Sequence, residues 1–328
     1  MVKNNSFKEI WDKLKKSKKV AITLHCAPDG DSLGCCAAMK YVLERDLKCK
    51  VTLISYDRLD ETLMTFAYIN EIKFGTDITD LNLKDYDVTL FLDSGGTISG
   101  KLKESYVPPK DAFIINIDHH PTNPYNVSLN YIDESALSCC SVLMDMFKSM
   151  NVCFDKELST RLLLGLATDS GFFIFNPNKA ISEAFYLINN GGDYESIVSR
   201  LIHNVPLKMK KYHAFLTNNL KIININNKII GYVCLSSKDI KAFGLNSSEV
   251  RLGINQISDI KELDVAFTLA DLGDHIKGSF RSRKNIDVST MAIALGGGGH
   301  KAAAAFRLEK ITLKNAEKKV LSLLKENL

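Results

Sequence analysis

No apolar run in these 328 residues approaches the roughly 20 needed to cross a bilayer, and the N-terminus lacks the apolar stretch of a secretory signal. A cytoplasmic protein is expected. The eight cysteines include no Cys-x-x-Cys, and Cys35-Cys36 and Cys139-Cys140 are adjacent pairs inside apolar, helix-like stretches. This argues against a zinc or disulfide framework and for reduced, buried thiols, with Cys26 read as a packing residue beside His25. A strongly basic balance is also missing. The net charge is +4, and the pI of about 8.5 falls below the roughly 9 that marks many nucleic-acid-binding domains. Small phosphorylated substrates are favoured over long polymers. The glycines form neither a Gly-Lys-Ser/Thr loop nor a Gly-x-Gly-x-x-Gly turn, so ATP and NAD are not expected as cofactors. No internal repeat or low-complexity tract occurs.

What is present is ordinary in bulk and unusual in pattern. With 45% hydrophobic and 24% charged residues, the chain reads as a globular protein long enough for two domains, each with its own core. Ser6-Phe7-Lys8-Glu9 is a capping box for a helix carrying Ile10, Trp11 and Leu14. Strands are expected at 51–56, 87–93 and 113–118, with helices around 33–45, 60–70, 135–150, 157–168 and 179–190. Gly191-Gly192 closes the last of these, and Pro206 is placed in the first turn of a further helix running toward Leu220. Beyond Lys221 the texture becomes hairpins, one across Asn226-Asn227 and one across Asp271 to Asp274, and an amphipathic helix from Leu313 to Leu324 follows. Three regions result: 1–190, a helical linker 191–220, and 221–328.

The chemistry lies at the ends of apolar segments. Phe113 to Ile117 leads into Asp118-His119-His120, and Lys19 to Leu24 into His25-Cys26-Ala27-Pro28-Asp29-Gly30-Asp31. Val88 to Leu92 leads into Asp93, and Leu162 to Thr168 into Asp169. In open α/β sheets such ends converge on one crevice. Two divalent ions need a bridging carboxylate and several oxygen or imidazole ligands, and His25, Asp29, Asp31, Asp93, His119 and Asp169 form such a set. In an extended loop Asp29 and Asp31 would project to the same side, with Gly30 allowing a tight turn.

These four motifs, followed by Gly296-Gly297-Gly298-Gly299-His300, resemble the DHH phosphoesterase superfamily and its DHHA1 branch, in the order and spacing of the bacterial nanoRNase and pAp-phosphatase group. The resemblance implies a parallel-sheet α/β DHH domain with flanking helices, a smaller mixed α/β DHHA1 domain, and an active site in the cleft between them. It implies two divalent metal ions, Mn²⁺ first, with Mg²⁺, Co²⁺ or Fe²⁺ as alternatives. His25 and Asp29 would hold one ion, Asp31, His119 and Asp169 the other, and Asp93 would bridge them. Asp118 would orient an imidazole, and His120 would face the scissile phosphate.

In the second domain, Arg281 and Arg283 share a face if their segment is a strand, and Gly297, Gly298, Gly299 and His300 offer backbone and side-chain donors. Alone, these read as surface features. The resemblance makes them the reader of the substrate end remote from the metals. The implied activity is hydrolysis of short RNA oligonucleotides, two to five nucleotides long, to mononucleotides, with 3′-phosphoadenosine 5′-phosphate (pAp) as a second substrate. No membrane association is expected, and a homodimer is left open. A cyclic dinucleotide phosphodiesterase and a non-catalytic nucleotide-binding regulator are the alternatives. Departures from the family pattern at Ala305, at Cys35 and in Ser94-Gly95-Gly96-Thr97 touch no proposed ligand.

Overall fold

Ser6 caps the first helix, α1 (Phe7–Lys15), accepting from the Glu9 N–H at 3.2 Å while Ser6 N–H donates to the Glu9 carboxylate at 2.7 Å. Such a cap stabilises a helix by about 0.5–2 kcal/mol. It starts the first of two units, 1–204 and 205–328. The structure is a computed structural model and describes residues 4–95, 98–102, 106–124, 127–283 and 286–328. Gly96 and Thr97 of the divergent stretch lie outside the described residues.

The first unit is built on six parallel strands: β1 (Lys19–Thr23), β2 (Lys50–Ser55), β3 (Ile72–Phe74), β4 (Val88–Leu92), β5 (Ile114–Asp118) and β6 (Leu129–Ile132). Their order is 3-2-1-4-5-6. The direction of winding reverses between β1 and β4, and the crevice beyond the carboxyl ends at such a reversal is where open sheets bind ligands. Every residue of β4 is buried. Leu90 and Leu92 pack with the helices α2 (Gly30–Arg45), α3 (Cys139–Ser149) and α4 (Lys156–Asp169), while Phe91 packs opposite with Ile54, Ile98 and Ile114. Two covered faces explain why β4 reads as an unbroken apolar run. Helices α5 (Pro177–Asn189) and α6 (Tyr194–Leu201) complete the unit.

The second unit holds α7 (Leu207–Asn218), β7 (Lys221–Ile225), β8 (Lys228–Leu235), α8 (Ser237–Phe243), α9 (Ser247–Leu252) and α10 (Asn255–Ser258). It continues with β9 (Val265–Asp271), β10 (His275–Ser282), α11 (Val288–Ala294), β11 (Gly298–His300), β12 (Ala303–Glu309) and α12 (Leu313–Asn327). Its strand order is 11-12-10-9-8-7, antiparallel except between β8 and β9. Both faces are covered. Ala316, Val320 and Leu324 of α12 pack with Phe267 and Phe280, and Met209, Tyr212 and Leu216 of α7 pack with Val233 and Ala266 on the other side.

Four expectations need correction. Residues 60–70 form short 3-10 turns, not a helix. The 191–220 linker does not exist as a separate element: α6 belongs to the first unit and α7 to the second, because Ile197 and Tyr212 are each buried in their own unit's core. Pro206 stands just before the first helical residue of α7. Cys153 is exposed, while both adjacent cysteine pairs are buried.

Candidate metal centre

Three neighbouring strands deliver most of the site. β1 ends just before His25, β4 just before Asp93, and β5 at Asp118, with His119 and His120 following. Asp93 sits in the left-handed region with φ 53°, a conformation that aspartate tolerates better than most residues. Its two oxygens face different imidazoles: Oδ2 stands 3.4 Å from His25 Nε2, and Oδ1 stands 3.5 Å from His119 Nε2 and 3.6 Å from His120 Nδ1.

The remaining carboxylates come from helix ends. Asp29 is the N-cap of α2, accepting from Ser32 N–H, and Asp31 lies in its first turn. The expected extended loop is therefore a helix start. Gly30 is needed for a different reason than a turn. A methyl group there would come within 2.5 Å of Thr168, so the bare position lets α2 approach the end of α4 and brings Asp29 and Asp31 toward Asp169. The fully buried Asp31 accepts from the backbone N–H groups of Cys139 at 2.6 Å and Cys140 at 3.0 Å, at the positive end of α3.

The ligand atoms of His25, Asp29 and Asp93 lie within 4.8 Å of one another, as do those of Asp31, His119 and Asp169. A third overlapping group is Asp93, Asp118, His119 and His120. His119 Nε2 stands 3.3 Å from Asp169 and 3.9 Å from Asp31, and His25 Nε2 stands 3.6 Å from Asp29. Two ligands each about 2.1 Å from one ion stand roughly 3–3.5 Å apart, so the His119–Asp169, His25–Asp93 and His119–Asp93 spacings of 3.3, 3.4 and 3.5 Å suit a shared cation, and the others are slightly wider.

The local chemistry fits a cation as well. His25 Nδ1 is 2.8 Å from the Cys26 carbonyl, which needs the proton on Nδ1 and leaves the Nε2 lone pair aimed at two carboxylates. Lone pairs set against carboxylates repel unless a positive charge lies between. Asp93 Oδ1 is buried and accepts no hydrogen bond from a described residue. Burial and the charges of Asp93 and Asp169 push the Asp31 carboxyl well above its usual range, and burial pushes Asp169 up to about 6. Burial opposes charge on His25 and His119, yet the surrounding carboxylates raise both well above an ordinary imidazole. Raised carboxyls and raised imidazoles side by side are what a crowded set of ligands shows where a metal would supply the balancing charge.

Asp118 stands apart from the ligands because both its oxygens are occupied. Oδ1 accepts from the N–H groups of His119 at 2.7 Å and His120 at 3.2 Å and stands 2.8 Å from His120 Nδ1. Oδ2 accepts from Gly95 N–H at 2.9 Å and from the Asn123 amide. Burial disfavours its charge, but these donors, His120 foremost, hold the carboxyl well below its usual range. Burial likewise disfavours charge on His120, and Asp118 raises its pKa above the ordinary value. Sequence reasoning missed Asn123 and Gly95, because no periodicity or spacing marks a residue that donates to a carboxylate from a neighbouring loop.

The loop after Asp169 was also missed. Gly171, Phe172 and Phe173 are successive left-handed residues, with φ 59°, 55° and 71°. For the two phenylalanines this costs about 1–2 kcal/mol each. Both pack against the core, Phe173 with its ring 5.2 Å from that of Tyr194.

In the second unit, sheet register places Arg281 and His300 on one face, each paired with Ala303 on the strand between them. Arg281 Nε donates to Asn255 Oδ1 at 3.2 Å, and Arg283, just past β10, donates to the Asp259 carbonyl at 3.5 Å. Burial and nearby Arg251 lower the Arg281 pKa to about 10. A methyl on Gly297 would meet the Ala305 carbonyl at 2.1 Å, whereas Gly298 faces open space.

The sheet order and the carboxylate-imidazole cluster define a DHH phosphoesterase. Residues 19–166 match the DHH family N-terminal domain and residues 226–328 match the DHHA1 domain. The chain belongs to this family of phosphoester hydrolases. It is 25% identical over 309 residues, 92% of each chain, to the bifunctional oligoribonuclease and PAP phosphatase NrnA of Mycoplasma genitalium. It is 28% identical over 222 residues to the protein of that name from Thermus thermophilus, covering 67% of this chain and 66% of the other. An exopolyphosphatase-related protein from Bacteroides fragilis has the same fold, with TM-score 0.82 at 20% identity over 98% of this chain and 95% of that one. Asp169 lies just beyond the matched DHH segment, so its place in the site rests on geometry.

Proposed function

We propose that the chain hydrolyses short oligoribonucleotides to mononucleotides and removes a phosphate from pAp, using two divalent ions. The observation that carries this reading is Asp93, whose two oxygens face two separate ligand groups. His25 and Asp29 would hold one ion and Asp31, His119 and Asp169 the other, with Asp93 facing both groups. A donor set of oxygens and imidazoles without thiolate suits Mn²⁺. When bound, such ions supply Lewis acidity, lowering the pKa of water and neutralising phosphoryl charge.

The protein's own groups do the rest. Asp118 raises the His120 pKa against the opposing effect of burial and fixes its ring through Nδ1. From that position His120 stabilises charge on the phosphoryl oxygens or gives a proton to the leaving oxygen. The backbone N–H groups of α3 hold Asp31 in place as substrate arrives. Arg281, Arg283, Gly297 to Gly299 and His300 supply donors for a second phosphate of the substrate, and needing that phosphate limits substrate length. No described helix is long and apolar enough to cross a membrane, and a cytoplasmic setting suits nucleotide turnover.

The test is a side-by-side assay with Mn²⁺ of 5′-phosphorylated diadenylate (pApA), a longer RNA, pAp, cyclic di-AMP and pyrophosphate. Fast release of AMP from pApA and pAp is expected. Equal rates on the dimer and the long RNA would refute the length limit, and binding without turnover across several metals would favour a regulator.

A further inference from the structure

The strained turn after Asp169 has an outcome at the surface. With Phe172 and Phe173 turned toward the core, Ile174 and Phe175 are left 73% and 63% exposed. Exposed apolar side chains of this size, presented by a backbone held in a costly conformation, point to something that binds them. Phe175 is not loosely placed. Its N–H donates to the Ser170 carbonyl at 2.9 Å, and its ring lies so close to Gly171 that a methyl there would stand 2.8 Å from Cε2.

Gly171 is two residues beyond Asp169, and consecutive Cα atoms are about 3.8 Å apart, so the ring's support lies within about 8 Å of the Asp169 backbone. A flat, uncharged ring backed by Gly171, which itself lies that close to Asp169, has the chemistry and the neighbourhood suited to a nucleobase attached to the scissile phosphate. Building on the phosphoesterase reading above, we infer that Phe175 is a stacking platform for a nucleobase flanking that phosphate, with Ile174 packing beside it. Stacking tolerates any base and rewards large ones, so purines bind better than pyrimidines at this position.

The competing occupant is a second copy of the chain. Ile181, Phe185 and Ile188 on α5 are also exposed and recur at helical spacing. The two differ in what Phe175 recognises.

The experiment compares wild type, Phe175→Ala and Phe175→Trp on pApA and on its two singly abasic analogues, with Mn²⁺ present. Phe175→Ala is expected to raise KM for pApA about tenfold with kcat nearly unchanged, and Phe175→Trp to restore it. One abasic analogue, the one lacking the stacked base, should be handled equally by all three proteins. The same loss on pApA and both analogues, or no loss on any, overturns the inference, as does a change confined to sedimentation behaviour. Wild type that hydrolyses none of the three substrates overturns the phosphoesterase reading itself. Phe175 is mostly exposed, and an unchanged Tm for Phe175→Ala confirms that folding is not the cause.

Discussion

Replacing Gly165 by alanine tests whether the contact between α2 and α4 sets the position of a metal ligand. The added methyl would lie 2.3 Å from Asp31 Oδ1, 2.4 Å from Cys140 Sγ and 3.0 Å from Asp31 Cα. An ordinary contact is longer by about 1 Å or more, so something must move. Asp31 cannot simply retreat, because the N–H groups of Cys139 and Cys140 hold its carboxylate. The helices must separate, or those hydrogen bonds must break. Overpacking of this kind costs about 1–3 kcal/mol, which lowers Tm by about 2–4 °C per kcal/mol in a domain of this size. A displacement of about 1 Å at a catalytic centre reduces turnover by roughly a hundredfold. The assay is kcat/KM for pApA at saturating Mn²⁺, with Mn²⁺ stoichiometry measured by calorimetry. A folded Gly165→Ala protein that binds two ions and turns over within about threefold of wild type would refute the reasoning.

Asp93→Ala should abolish turnover with Mn²⁺ present while leaving the thermal transition intact; appreciable residual activity would remove Asp93 from its bridging role. Asp118→Asn should lower the His120 pKa toward its ordinary value, cut kcat by about 10–100-fold, and move the alkaline limb of the pH–rate profile to lower pH. An unmoved limb would contradict the His120–Asp118 pairing. Metal-free protein should lose stability as pH rises. Asp169, raised to about 6 when folded, binds more protons folded than unfolded from about pH 4 upward. His25 and His119, also raised, add to the loss above about pH 6.5. Thermal melts in chelator from pH 4 to 8 should show this fall, and the stabilisation by Mn²⁺ should grow with pH. A metal-free Tm that rises across that interval would contradict it.

Much of the site was legible because apolar strands announce their own ends. Val88 to Leu92 followed by Asp93, and Phe113 to Ile117 followed by Asp118, mark strand and crevice together. Asp29 and Asp31 were legible as acids but not in conformation, since Gly30 looks like a turn former until Thr168 is seen against it. The 191–220 linker misled because α6 and α7 bury too few side chains to show from sequence which unit each joins. Asn123 and Phe175 carried no signal. One donates a hydrogen bond across a loop, and the other is left exposed by the left-handed turn at Gly171, Phe172 and Phe173, where two of the three residues disfavour that conformation.

The account depends on six side chains gathering cations in pairs about Asp93. Anomalous diffraction at the manganese edge, from crystals grown with Mn²⁺, tests this directly. Two peaks are predicted, one held by His25, Asp29 and Asp93 and the other by Asp31, Asp93, His119 and Asp169. A single peak elsewhere in the chain, or none at saturating Mn²⁺, would contradict the dinuclear centre and the hydrolytic chemistry built on it.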